Sequence, residues 1–91
     1  MGIIEDILGG KVKEVDLLEF VTSNDIRVAV AVASSQYATE TILDIAAHDK
    51  DKDVRLAVVD NKYTGKDTLK FLSNDNEAEI AVKAKYRLER K

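Results

Sequence analysis

The sequence predicts an all-α fold built from about three helical repeats, each of roughly 25 to 26 residues. Three similar segments recur along the chain, at residues 18–21 (LEFV), 43–46 (LDIA) and 69–72 (LKFL). A second similar segment follows each of them, at residues 25–30 (DIRVAV), 53–58 (DVRLAV) and 79–82 (EIAV). Self-similarity at such a period is typical of stacked supersecondary units that cannot bury their apolar faces alone.

Apolar spacing predicts the first two helices. Residues 3–8 (IIEDIL) carry four apolar side chains at helical spacing, and Gly9 and Gly10 follow them. Glycine adopts the positive φ angles that commonly end helices, so we expect the first helix to stop there. A second helix is predicted over residues 12–21, because Val15 and Leu18 share one face of it.

Residues 26–33 fit two conformations. Three valines alternate with three alanines at residues 28–33, and this pattern taken alone indicates a β-strand. The corresponding segments argue otherwise, because Val54, Ala57 and Val58 follow the i, i+3, i+4 spacing of a helix. One repeat unit should adopt one conformation, so we predict a helix covered on nearly all sides.

Four further helices are predicted over residues 39–48, 52–59, 65–73 and 76–90. Thr64 stands three residues before Asp67, and Asn76 stands three residues before Glu79, as in capping boxes. Aspartates are concentrated at residues 49–53, where negative charge meets the positive end of a helix dipole. The chain contains no proline, so its turns depend on Gly, Asn, Asp and Ser.

Composition indicates one domain over residues 1–91, with residues 1–10 as an N-terminal capping helix and 76–91 as a basic C-terminal capping helix. The chain has 45% hydrophobic and 34% charged residues and no cysteine, which excludes disulfides and thiolate chemistry. No basic leader or long apolar run is present, so a cytoplasmic protein without membrane association is expected. Residues 1–49 carry a net charge of −6 and residues 50–91 carry +3.

The middle of the chain resembles the leucine-rich repeat variant family, a short relative of HEAT and armadillo helical repeats. The residues that carry the resemblance are Leu43, Ala46, Asp49, the segment 53–58 (DVRLAV), Asn61, Thr64 and Leu69. The resemblance covers about residues 17–85 and implies a short right-handed superhelix with a role in protein interaction. The family prototype has a cysteine-ligated iron–sulfur cluster. With no cysteine here, no cofactor is implied.

Residues 49–53 (DKDKD) have the carboxylate spacing that begins an EF-hand calcium loop, and Asp60 falls at its twelfth position. Val54 occupies the sixth position, however, where the sharp turn of that loop needs glycine. We therefore interpret these aspartates as an inter-helix loop that caps a helix, and expect no metal site.

Arg27 and Arg55 occupy equivalent positions in the sequence alignment of the repeats, behind Asp25 and Asp53. They could form a basic ladder for a carboxylate or phosphate, or each could bind carbonyls or aspartates of the adjacent repeat. Recurrence once per repeat favours the structural interpretation.

An enzyme is not expected, because the chain contains no nucleophile, phosphate-binding or dinucleotide motif. Its one histidine, His48, stands at a helix end, where it would meet the negative end of the dipole or solvent.

The sequence therefore predicts a non-catalytic module for protein–protein interaction. The alternative is binding of nucleic acid or an acidic partner through the basic C-terminal helix, with Lys83, Lys85, Arg87 and Arg90 as its residues. The negative overall charge argues against nucleic acid. A homodimer through an end helix is also predicted, because apolar residues 3–8 at one end or Tyr86 and Leu88 at the other could remain uncovered.

Overall fold

The computed structural model describes residues 2–90, and this part of the chain forms seven α-helices and no strand. The helices are α1 (Ile3–Leu8), α2 (Glu14–Phe20), α3 (Ile26–Ser34), α4 (Glu40–Ala47), α5 (Lys52–Asp60), α6 (Lys66–Leu72) and α7 (Ala78–Glu89). The all-α prediction is confirmed. Met1 and Lys91 lie outside the described residues, so the two predicted terminal segments are described only over residues 2–10 and 76–90.

The valine–alanine segment is a helix, as predicted from its counterparts. Asp25 begins α3, because its Oδ1 accepts a hydrogen bond from the backbone N–H of Arg27 at 3.0 Å. Val28 and Val32 are buried on the core side, and Ala29 is also fully buried. Burial by neighbouring helices therefore outweighs the β-propensity of the valines.

Equivalent helices begin at one constant interval along the chain, which we call the repeat interval. The even-numbered helices α2, α4 and α6 begin at Glu14, Glu40 and Lys66, and the odd-numbered helices α3, α5 and α7 begin at Ile26, Lys52 and Ala78. The buried positions keep the same interval, as in the series Leu17, Leu43, Leu69 and the series Val28, Val54, Ile80.

This register corrects the sequence alignment in two places. Leu17 is the counterpart of Leu43, whereas the alignment used its half-buried neighbour Leu18. Val28, and not Ile26, is the counterpart of Val54. The sequence alignment paired residues of similar type, but the register of a helix is set by the side chains that it buries.

The odd-numbered helices lie side by side in chain order, so that α3 packs against α1, α5 against α3, and α7 against α5. The even-numbered helices cover one side of this row: α2 packs against α3, α4 against α3 and α5, and α6 against α7. The core lies between these two layers, and the described residues span 38 × 26 × 18 Å.

The capping predictions were right for one loop and wrong for two. Asp49 Oδ1 accepts from Asp51 N–H, and Asp51 Oδ1 accepts from Asp53 N–H, both at 2.8 Å. By contrast, α6 begins after Gly65, and the Thr64 hydroxyl instead donates to the carbonyl of Val58 at 2.6 Å. The residue before α7 is Glu77, whose backbone N–H donates to Asp75, so Asn76 does not cap this helix either.

Candidate functional site

Arg55 forms a buried ion pair with the loop before α7. Its Nε and Nη2 atoms donate to the two carboxylate oxygens of Asp75 at 2.7 and 3.2 Å, and its Nη1 donates to the Asp49 carbonyl at 2.8 Å. The side chains are only 12% and 6% exposed. Burial raises the pKa of Asp75, but hydrogen bonds from Arg55 and from Glu77 N–H outweigh it and hold that pKa below its usual range.

Arg27 makes only a local contact. Its guanidinium binds Asp25, with Nη2 to Oδ2 at 3.1 Å and Nε to Oδ1 at 3.3 Å, and its side chain is 80% exposed. The predicted equivalence with Arg55 is wrong, because Arg27 is the second residue of α3 and Arg55 is the fourth of α5. The counterpart of Arg55 in α3 is Ala29, which is buried.

The basic side chains of α7 differ in the number of polar partners that they have. Lys83 Nζ lies 3.2 Å from Asp60 and 3.7 Å from Glu79. Arg90 Nη1 donates to the Tyr86 hydroxyl at 2.7 Å. Arg87 donates to the carbonyls of residues 59, 61 and 62 at 2.9, 2.7 and 3.3 Å. Lys85 is exposed.

Three side chains, each separated from the next by the repeat interval, link each odd-numbered helix to the one before it. Ser35 Oγ lies 3.5 Å from the Ile7 carbonyl. Asn61 Nδ2 donates to the carbonyls of Ala33 and Ser35 at 2.9 and 3.0 Å. Arg87 donates to the corresponding Val59 carbonyl at 2.9 Å.

These contacts satisfy carbonyls at helix ends, which have no partner within their own helix. We call Ser35, Asn61 and Arg87 the polar ladder. Residue types alone do not reveal this ladder, because Ser, Asn and Arg are chemically unrelated. The constant repeat interval was the signal that could have found it.

An open groove of about 910 Å³ lies between the α4–α5 and α6–α7 loops. The Arg55–Asp75 pair lines it, and the rings of His48 and Phe71 stack beside it with centroids 4.0 Å apart. His48 Nδ1 lies 2.9 Å from the Asp44 carbonyl, which is the helix-end contact that the sequence predicted. Within residues 2–90, no group of three His, Asp or Glu side chains could hold a metal ion.

A row of apolar side chains recurs along the odd-numbered helices. Its members follow one another at the repeat interval, and we call them the apolar row: Ile4, Val30, Leu56 and Val82. Ile4, Val30 and Leu56 are half-buried and pack against the hydrophobic core, whereas Val82 is 63% exposed.

No family model, curated protein or solved structure matches the chain. Among the helices of residues 2–90, none has both the length and the apolar character that a membrane span requires.

Proposed function

We propose that the chain is a non-catalytic helical-repeat module that binds another protein. An exposed apolar patch on α7 carries this proposal: Val82 and Tyr86 are 63% and 56% exposed and line one surface pocket of about 330 Å³. Contiguous exposed apolar surface commonly marks a protein interaction site. The groove beside Arg55 gives less support to an enzyme, because Arg55 and Asp75 neutralise each other and the groove is open to solvent.

The regular interval supports the further proposal of a short right-handed superhelix of the leucine-rich repeat variant or HEAT-like kind. The odd-numbered helices from α3 to α7 start at equally spaced residues, and the polar ladder joins each of them to its predecessor. Stacked repeats interact mainly with their nearest neighbours, which is the pattern of contacts seen here. The cytoplasmic location stays a prediction.

The alternative, binding of nucleic acid or an acidic partner through α7, has less support. Arg87 uses its guanidinium inside the fold, and Lys83 and Arg90 already have polar partners. Lys85 alone would remain for phosphate contacts within the described part of this helix. Affinity for nucleic acid depends on neutralising several phosphates, so one lysine would supply little of it.

A homodimer through an end helix is also less well supported. Of the apolar residues predicted to be available at the N-terminal end, Ile3 and Leu8 are 40% and 45% exposed, whereas Ile7 is only 1% exposed. At the other end, Lys85 holds the position that Ala33 and Val59 fill as buried residues in α3 and α5. A charged side chain at that position opposes apolar packing of a second copy.

The test is affinity capture from native lysate with nuclease treatment, followed by reconstitution of the complex from purified components. The proposal predicts a protein bound in stoichiometric amount by the wild type and equally by a K85E/R90E variant. Retention of nucleic acid alone, lost in that variant and at about 0.5 M salt, would support the alternative. Absence of any stoichiometric protein would contradict the proposed function.

A further inference from the structure

We draw no further inference here: the strongest candidate, the exposed patch of Val82 and Tyr86 on α7 with its pocket of about 330 Å³, already carries the proposed function, and nothing in the structure shows what covers it.

Discussion

Arg55 and Asp75 share a two-point contact across 20 residues of sequence, in which Nε and Nη2 of the arginine bind the two carboxylate oxygens. The same guanidinium reaches the Asp49 carbonyl, so one side chain connects α5 with the loops on both sides of the groove. The counterparts of Arg55 in α3 and α7 are Ala29 and Ala81. The contact is therefore a feature of one unit and is not repeated along the described chain.

Removal of Arg55 should destabilise the fold strongly. Arg55→Ala leaves the carboxylate of Asp75 buried without its partner, and loss of one member of a buried pair costs about 3 to 5 kcal/mol in free energy of unfolding. Urea denaturation of the two single variants and the R55A/D75A double variant measures this. The double variant should lose less than the sum of the single losses. Strictly additive losses would show that the pair is not coupled.

Acid should lower the stability of the folded protein partly by protonating Asp75. The folded-state pKa of Asp75 lies below its ordinary value of 3.8, so its contribution to stability is present above that value and is lost as the pH falls through the folded-state pKa. Asp75→Asn should flatten the acid limb of a plot of unfolding free energy against pH. Asp25→Asn is the control, because Arg27 lowers the pKa of Asp25 in a solvent-exposed pair. An unchanged acid limb in Asp75→Asn would contradict this assignment.

Asn61 should be important for the packing of α5 against α3. Asn61→Ala removes two hydrogen bonds to the carbonyls of Ala33 and Ser35 and leaves these buried acceptors short of a partner. A loss of about 2 to 3 kcal/mol in free energy of unfolding is expected. Thermal and urea unfolding measure it, with Asn24→Ala, at an exposed loop asparagine, as the control. Equal losses in the two variants would argue against the polar ladder.

The contribution of Arg87 to stability should depend on the planar shape of its guanidinium as well as on its charge. Lysine keeps the positive charge but lacks the planar guanidinium that donates to several carbonyls at once. Arg87→Lys should therefore lower the free energy of unfolding by about 1 to 2 kcal/mol. Arg90→Lys changes only an exposed contact with Tyr86 and should cost less than about 0.5 kcal/mol. If both variants unfold at the same urea concentration, the carbonyl contacts of Arg87 contribute no measurable stability.

The sequence predicted the helices well because the patterns that indicate a helix lie within the helix or beside it in the sequence. The buried face of α5 and the aspartates before it are visible as a pattern, and the ambiguous segment of α3 was resolved by comparison with α5. Helix starts were placed within two residues. The error at α6 arose because the Thr64 hydroxyl donates to the Val58 carbonyl, and the error at α7 because Asp75 accepts from the N–H of Glu77. Both contacts depend on the path of the chain between helices.

The candidate site was predicted less well, because charge alone does not show what a side chain contacts. For Arg55 the sequence favoured contacts with carbonyls or aspartates of the fold, and Arg55 makes both kinds of contact. Arg87 was grouped with Lys85 as a candidate binding residue, yet Arg87 binds carbonyls of the fold and Lys85 is exposed. The apolar row was visible only after the repeat interval of the helices was known. The sequence alignment matched Arg27 with Arg55, so the register that it gave α3 relative to α5 was wrong by two residues.

The most direct test of the proposed interaction function is an amide chemical shift titration of the isotope-labelled full chain with its purified, captured partner. We predict saturable shifts that include Val82 and Tyr86, with a stoichiometry of one partner segment per chain. Saturable shifts that leave out both residues, or the absence of any saturable shift, would contradict this prediction.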